Sequence, residues 1–246
     1  MNKLLGRLIF FLYPGNNVQL IKNIFMNEFV IYPINDPDKL IKLLKEFPSS
    51  IILINIDFNK EFNWKNYIKK IQEDKILKEV SINIISNNKK ALINLSGIEN
   101  LFYLDGKSNI LDLIIKYLEN NYAKGRRKYI RIELEKENKI EFNIKEGNKI
   151  QKGFITNINS KAGVFNFNNK SFQLNPGTKI NNIEFTINGI FYILSGTVFR
   201  SIESFNENLY VIIFDMEHMK THYTEGIQNY IYKIMQQTMA NKTANI

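Results

Sequence analysis

Hydrophobic positions in the first half of the chain alternate between short continuous runs and helical spacing. Apolar runs predict buried strands, which are Leu8–Tyr13, Val30–Ile34, Ser50–Asp57, Val80–Ser86 and Leu101–Leu104. Helical spacing predicts the helices between and after them, which are Val18–Phe29, Leu40–Phe47, Asn63–Leu77 and Asn109–Asn120. The segment Asn87–Asn100 should hold a further helix but is poorly patterned. Because such alternation favours parallel strands covered by helices on both faces, residues 1–120 are predicted to form a flavodoxin-like, doubly wound α/β domain.

From Arg131 onward the pattern changes to closely spaced strands separated by turns rich in Asn and Gly. The predicted strands are Ile132–Glu135, Lys139–Ile144, Lys152–Ile158, Val164–Phe167, Ile183–Ile187, Phe191–Ile202 and Leu209–Asp215. Asn188-Gly189 between two apolar runs predicts a tight hairpin. Many short antiparallel strands indicate a small barrel or sandwich over residues 132–220. Residues 221–246 are predicted to hold a closing helix, about Thr224–Met239, followed by a frayed tail.

Composition changes this picture little. The chain has 246 residues, of which 44% are hydrophobic, so it can bury one large core or two small ones. A net charge of +9 is typical of proteins that bind nucleic acid or anionic membranes. We discount that signal, because the chain is saturated with Ile, Lys and Asn, as AT-rich genomes favour, and its lysines are interleaved with acids. The absence of cysteine excludes disulfides and thiolate zinc sites.

The N-terminus gives no sign of a signal peptide. Lys3 and Arg7 precede only a short apolar run. Pro14-Gly15 ends this run, and no small-residue cleavage site follows. No run approaches the roughly 20 apolar residues of a membrane span. The sequence therefore predicts a cytoplasmic protein without membrane insertion.

Residues 121–131 are predicted to form a basic linker that contains Arg126-Arg127-Lys128-Tyr129-Ile130-Arg131. Arg127 and Arg131 are four residues apart at the entrance to the second domain. A guanidinium group is always charged and can form paired hydrogen bonds with a phosphate or a guanine edge. This spacing suits recognition of a small phosphorylated purine, although charge runs are commonly just solvated.

The second half resembles the PilZ domain, the bacterial receptor module for cyclic di-GMP, over roughly residues 124–239. Four features carry the resemblance. Arg127 to Arg131 match RxxxR, and Arg126 with Tyr129 gives the form found in flagellar brake proteins. The segment 156–165, Thr-Asn-Ile-Asn-Ser-Lys-Ala-Gly-Val-Phe, stands where the family has [D/N]xSxxG. The segments 196–200 and 227–235 resemble a later strand and the closing helix of the family.

The second motif departs from the family pattern and has two alignments. From its start, Asn157 and Asn159 match [D/N]xS with Asn at the Ser position; from its end, Ser160 and Gly163 match SxxG. We favour Asn157 as the [D/N] residue, because strand alternation is expected to point Ile158 and Phe154 toward the core.

The resemblance implies a non-enzymatic effector that binds cyclic di-GMP. Arg127 and Arg131, with Arg126 beside them, would hold the phosphates and guanines. Asn157, Asn159 or Ser160, and Gly163 would line the barrel face. The linker 122–131 would be mobile when empty and ordered when bound. Such a second-messenger receptor would transduce its signal to motility, adhesion or envelope processes through a protein partner.

The first half resembles a response-regulator receiver that has lost its chemistry. Asp57 and Ser86 stand at the ends of the third and fourth strands, where that family has its phosphorylated Asp and a hydroxyl. The acidic pair expected after the first strand is replaced by Tyr13 and Pro14, and Lys107 is displaced from its expected position. Mg²⁺ needs carboxylate ligands. We therefore expect a degenerate receiver-like scaffold in which Asp57 is a helix cap or a turn residue.

Other interpretations remain open at this point. His218 and His222 have i, i+4 spacing, but two surface histidines are favoured over a metal site. No nucleophile elbow, P-loop or dinucleotide fingerprint is present, so neither an enzyme nor a metal cofactor is predicted. The alternatives to a cyclic di-GMP receptor are a PilZ-like adaptor that no longer binds nucleotide and a nucleic-acid-binding protein that uses the basic linker. The latter would show steep salt dependence.

Overall fold

The computed structural model describes residues 6–95, 98, 100–104, 109–124, 128–146, 149–203, 207–217 and 221–244. The chain divides into two compact units. The first, here called the α/β unit, comprises residues 1–128 with 238–246, and the second, the barrel unit, comprises residues 129–237.

The α/β unit is built on a parallel five-stranded sheet with the strand order β2-β1-β3-β4-β5. Its strands are β1 (Ile9–Leu12), β2 (Ile31–Ile34), β3 (Ile51–Asn55), β4 (Ser81–Ser86) and β5 (Asn100–Tyr103). Its helices are α1 (Val18–Met26), α2 (Pro37–Glu46), α3 (Trp64–Glu73), α4 (Lys89–Ile93) and α5 (Ile110–Asn120). This strand order is that of flavodoxin-like proteins, so the predicted α/β fold class is confirmed.

Continuous apolar runs place β1 and β3 at the centre of this sheet. Every residue of both strands is buried, as expected for strands covered on both faces. Helix α2 begins where the sequence offers a cap: the side chain of Asp36 accepts hydrogen bonds from the amides of Asp38 and Lys39, and Pro37 is the first helical residue. The poorly patterned segment 87–100 yields only the five-residue helix α4, which the side chain of Asn88 caps.

The barrel unit is antiparallel. Its strands are β6 (Ile132–Glu133), β7 (Ile140–Glu146), β8 (Lys149–Ile158), β9 (Ala162–Phe167), β10 (Lys179–Ile187), β11 (Ile190–Glu203) and β12 (Asn208–Phe214). The order β6-β8-β7-β10-β11-β12-β9 closes on itself because β8 also pairs with β9. The strand pattern alone left a barrel and a sandwich open, whereas the family resemblance predicted a barrel, and the closed pairing confirms the barrel.

The β10–β11 hairpin follows from its turn residues. Asn188 and Gly189 have φ angles of 50° and 77°, and Ile187 pairs with Ile190. Positive φ at both central positions is the requirement of a type I′ turn, whose twist matches that of the flanking strands. The predicted hairpin is confirmed.

A single helix, α6 (Thr221–Ala244), ends the described chain. Within the barrel unit, Tyr230 donates a hydrogen bond from its hydroxyl to the carbonyl of Asn138 at 3.1 Å, and the rings of Tyr192 and Tyr223 lie 5.0 Å apart. A side chain at Gly226 would collide with the hydroxyl of Tyr192, so glycine permits this close approach. The predicted closing helix is confirmed. The prediction of a tail frayed from residue 240 is wrong as far as Ala244, because the segment holds no Gly or Pro to end the helix.

The described helices include none that combines the length and the apolar character needed to cross a membrane.

Candidate ligand-binding site

The basic segment enters the barrel through alternating buried and exposed residues. Ile130 and Ile132 are buried, whereas Arg131 between them is exposed. Ile132 pairs with Ile158 in the short β6–β8 ladder. The two isoleucines therefore anchor the backbone, and alternation directs the guanidinium of Arg131 outward. Arg126 and Arg127, the other arginines of the predicted site, lie outside the described residues.

A hydrogen bond joins the two halves of the predicted site. Arg131 donates from Nε to Oδ1 of Asn157 at 3.0 Å, across 26 positions of sequence. The ladder explains the contact, because Glu133 pairs with Asn157 and so brings β6 alongside the end of β8. Asn157 is only partly buried. The structure thus gathers one arginine of RxxxR and the favoured [D/N] residue into one exposed polar pair.

Asn159 shapes the turn between β8 and β9. Its Oδ1 accepts hydrogen bonds from the amides of Lys161 at 2.7 Å and Ala162 at 2.8 Å, and its own amide donates to the carbonyl of Ala162 at 2.9 Å. Asn and Asp are favoured in such turns because their side chains bond to backbone amides two or three residues on. Ser160 lies inside this turn and is 1% exposed.

Strand β8 does not alternate as the sequence suggested. Ile158 is fully buried, as predicted, but Phe154 is partly exposed and Ile155 takes the inward position instead. The expectation that Phe154 points toward the core is wrong. The cause is a β-bulge between Ile155 and Asn157, which inserts an extra residue opposite β9 and shifts the alternation by one.

Gly163 faces the barrel interior. A Cβ atom there would lie 2.8 Å from the ring of Phe165 and 3.5 Å from the carbonyl oxygen of Asn157. The ring of Phe165 packs edge-on against that of Phe142 at 5.0 Å, so it has little room to move. The structure therefore supplies a packing reason for glycine at this position.

Sequence reasoning did not single out Lys161, which lies in the same turn. Its Nζ lies 5.9 Å from the centre of the Tyr129 ring, close to the limit of a cation–π contact. Tyr129 lies in the first predicted motif, Arg126–Arg131, and Lys161 lies in the second, residues 156–165. Their positions in these motifs were the signal that could have identified them. This contact adds a second positive side chain to the part of the barrel unit that holds Arg131.

The carboxyl edge of the α/β sheet is where a receiver has its phosphorylation site, and the sequence predicted that this chemistry is lost here. Asp57 accepts hydrogen bonds from the hydroxyl of Ser86 at 2.5 Å and from the amide of Asn87 at 2.6 Å. Asp57 lies in a turn, one of the two roles expected for it, and its carboxylate links the ends of β3 and β4. Lys107 lies outside the described residues.

Aromatic side chains fill the place where a receiver has its acidic pair. The rings of Tyr13 and Phe58 stack at 5.0 Å and 15°, and Trp64 packs edge-on against Tyr13 at 6.0 Å. Tyr67 donates its hydroxyl hydrogen bond to the carbonyl of Pro37 at 2.9 Å, and burial raises the pKa of Tyr67 above its ordinary value. Aromatic rings thus occupy the place of the carboxylates that phosphoryl transfer would need to hold Mg²⁺.

The histidine pair gives no metal site in the described part of the chain. His222 is exposed on α6, and its ring lies 4.5 Å from that of Tyr223. His218 lies outside the described residues. Among the residues that are described, no three His, Asp or Glu side chains come together to hold an ion.

Neither a family model nor a curated protein matches this chain. Solved structures of PilZ proteins do match about half of it. They include YcgR from Escherichia coli in complex with c-di-GMP (13% identity, TM-score 0.40, covering 50% of this chain and 51% of that one). The inhibitor of motility MotI/DgrA from Bacillus subtilis matches at 10% identity and a TM-score of 0.38, over 46% of this chain and 52% of its own.

The isolated PilZ domain of the same Escherichia coli protein matches at 14% identity and a TM-score of 0.38, over 49% of this chain and 98% of that domain. The match thus spans nearly a whole PilZ domain but only about half the length of YcgR and of MotI. At such identities and TM-scores, the similarity assigns no role to any residue of this chain.

Proposed function

We propose that the barrel unit is a PilZ-type receptor for cyclic di-GMP and that the protein is a non-enzymatic effector in second-messenger signalling. The observation that carries the proposal is the hydrogen bond from Arg131 to Asn157. Two motifs 26 residues apart in sequence meet there on the outside of a closed antiparallel barrel, as the resemblance to the family implies.

The contact prepares Arg131 for a ligand. A guanidinium has five N–H donors, and the bond to Asn157 uses the one on Nε. The Arg131 side chain is exposed, and a guanidinium group can form a fork with a phosphate or with the O6 and N7 acceptors of guanine. Arg126 and Arg127 would supply further positive charge from the preceding segment.

The remaining site residues act at the β8–β9 turn. Asn159 uses Oδ1 to hold the turn, so we assign its ligand contact to the Nδ2 donor. Ser160 and Gly163 are buried, and we assign them the shaping of the barrel surface below the ligand. Asn157 keeps a partly exposed amide beside Arg131, where it would meet a guanine edge.

The α/β unit would serve as an interaction scaffold that passes the signal to a protein partner in motility, adhesion or envelope processes. Asp57 is engaged by Ser86 and Asn87, and aromatic rings occupy the neighbouring edge. These contacts favour a structural use of that edge over phosphoryl transfer.

The decisive test is calorimetric titration of cyclic di-GMP into the full chain and into Arg131→Ala. A charge-assisted hydrogen bond contributes about 1.5–3 kcal/mol. We therefore expect the variant to bind at least roughly tenfold more weakly, since about 1.4 kcal/mol is a factor of ten. Lys152→Gln is the matched control: it also removes one charge from an exposed position on β8, away from the turn, and should bind as the wild type does.

Parallel titrations with GTP and a random oligonucleotide separate the alternatives. Wild-type protein that binds none of them would indicate a PilZ-like adaptor without nucleotide. Oligonucleotide binding that falls steeply with salt, with little preference for cyclic di-GMP, would indicate a nucleic-acid-binding protein. Tight cyclic di-GMP binding that Arg131→Ala leaves unchanged would refute the site.

A further inference from the structure

The barrel carries a second bulge on the same row as the first. Strand β8 is irregular between Ile155 and Asn157, and strand β11 is irregular between Val198 and Arg200. The pairings run Asn157–Val164 between β8 and β9, Val164–Val211 between β9 and β12, and Val211–Arg200 between β12 and β11. Asn157 and Arg200 are therefore the two ends of one continuous row across four strands.

This row faces outward. The neighbouring row consists of Ile158, Gly163, Ile212 and Val198, all buried. Successive residues of a strand point to opposite faces, so Val164 and Val211 point away from the barrel interior; Val211 is partly exposed, whereas Val164 is only 6% exposed. Strands are about 4.8 Å apart, which places Asn157 and Arg200 roughly 14 Å from each other along the sheet.

The β11 bulge presents two exposed side chains at the far end of this row. Phe199 is 60% exposed, and Arg200 beside it is exposed as well. Among the described residues, the guanidinium of Arg200 has no ion-pair or hydrogen-bond partner. Bulges re-aim side chains and are over-represented near functional sites. An exposed aromatic ring next to an unpaired arginine is the combination that recognises a base by stacking and a phosphate by charge.

We infer that the ligand site extends across the barrel face to Phe199 and Arg200. This inference rests on the proposed function and adds to it a second contact region on β11. A ligand with two bases and two phosphates spans the face: Arg131 and Asn157 hold one end over β8, and Phe199 with Arg200 holds the other. Val211, which is partly exposed, lies on the same row between them.

The span also predicts selectivity by ligand size. A mononucleotide is too short to reach both regions and would depend on one of them. Cyclic di-GMP should therefore bind more tightly than GMP, and removing the β11 contacts should reduce this preference. If Arg200 is only a surface residue, its replacement should leave the preference for cyclic di-GMP over GMP unchanged.

The test is titration of cyclic di-GMP and GMP into the full chain and its variants. We expect Arg200→Gln and Phe199→Ala each to bind cyclic di-GMP roughly tenfold more weakly, the change that one charged contact or one stacked base supplies. Two controls match them. Lys152→Gln removes one charge elsewhere on the barrel, and Phe191→Ala removes a ring that is 53% exposed on the same strand but far from the bulge. Neither should change the affinity by more than about twofold.

The outcomes distinguish this inference from the proposed function. If wild type binds and Arg131→Ala weakens binding, but Arg200→Gln and Phe199→Ala match their controls, the site ends at β8 and the β11 region is excluded. If wild-type protein binds no cyclic di-GMP, both proposals fail together. Retained secondary structure by circular dichroism confirms that a weakened variant is folded.

Discussion

Asp57 in the α/β unit and Arg131 in the barrel unit both lie where sequence motifs place a functional side chain, yet they differ in what their polar atoms contact. Both carboxylate oxygens of Asp57 accept hydrogen bonds, one from Ser86 and one from Asn87. Arg131 makes its bond to Asn157 through Nε and remains exposed. A motif residue whose two carboxylate oxygens are both engaged within the fold favours a structural role, whereas an exposed motif residue is accessible to the ligand proposed above.

The surroundings of the two residues differ in the same direction. The rings of Tyr13 and Phe58 stack near Asp57, and Trp64 packs edge-on against Tyr13. Arg131 is accompanied instead by Lys161 and by the partly exposed amide of Asn157. Aromatic contacts stabilise the fold, while neighbouring cations attract phosphate.

Replacing Asp57 with alanine should have the largest effect on stability. Each charge-assisted bond to its carboxylate contributes about 1.5–3 kcal/mol, so we expect the α/β unit to lose about 3 kcal/mol of unfolding free energy. Trp64 is the only tryptophan of the chain and belongs to this unit, so urea unfolding followed by its fluorescence reports the change.

The affinity for cyclic di-GMP should stay unchanged in Asp57→Ala, because the proposed site belongs to the other unit. Asp57→Asn is the matched control: it keeps one acceptor and should lose about half as much stability. If folded Asp57→Ala or Asp57→Asn lost much of its affinity for cyclic di-GMP, the structural role assigned to Asp57 would be contradicted.

Gly163→Ala should destabilise the barrel unit by about 2 kcal/mol. The new methyl group would lie 2.8 Å from the ring of Phe165, which is itself packed against Phe142, and overpacking a filled core costs about 1–3 kcal/mol. Faster hydrogen exchange of the amides in β8 and β9 is the measurement. Wild type serves as the reference. Gly177→Ala would not be a matched control, because Gly177 has a φ of +87° and alanine there would strain the backbone. Unchanged exchange would indicate that Gly163 serves the ligand alone.

Alkaline pH should weaken the α/β unit through its buried tyrosines. Burial raises the pKa of Tyr32 to about 12 from an ordinary value of 10.0. The folded state therefore binds the phenolic proton more tightly, so this stabilisation is complete below pH 10 and is lost as pH rises toward 12. A two-unit shift corresponds to about 2 kcal/mol lost by pH 12.

Far-UV circular dichroism during urea unfolding at stepwise higher pH measures this loss. Tyr32→Phe removes the titrating hydroxyl and should flatten the pH dependence of stability between pH 10 and 12. Tyr122→Phe is its control, since Tyr122 is strongly exposed. Equal pH dependence in wild type and Tyr32→Phe would exclude Tyr32 as the group responsible.

The smallest effects are expected at Asn159. Alanine removes the acceptor of two turn amides and should cost the barrel unit about 1 kcal/mol. Serine, which the family pattern has at this position, keeps an acceptor oxygen and should cost less than about 0.5 kcal/mol, because Ser bonds to turn amides more weakly than Asn but in the same way. Thermal unfolding of the two variants ranks them, and a serine variant as unstable as the alanine variant would oppose the alignment that starts at Asn157.

Much of the candidate site was readable from the sequence. Arg131 and Asn157 were both predicted as site residues, but the hydrogen bond between them was not. The outward direction of Asn157 was predicted for a reason that proved only partly right, since Phe154 faces outward too. The sequence did not predict the bulge between Ile155 and Asn157. A bulge depends on how β8 pairs with β9, and the local pattern of residues does not contain that pairing.

The pattern of apolar positions by itself determined the parallel α/β fold of the first unit and the antiparallel β class of the second, but it did not distinguish a barrel from a sandwich. A continuous apolar run such as Ile51–Asn55 excludes a strand with one solvent-exposed face. Asn188-Gly189 specifies its hairpin through backbone conformations that few other residues adopt. Local preferences of this kind act within a few residues, and so they can be read without knowing the rest of the chain.

The tertiary structure alone decided which polar residues meet. Asp57 and Ser86 are 29 residues apart and become hydrogen-bonded because β3 and β4 are adjacent in the sheet. Asn157 and Arg200 share a row only because β9 and β12 lie between β8 and β11. Strand order and register result from the packing of the whole unit, and no local propensity encodes them.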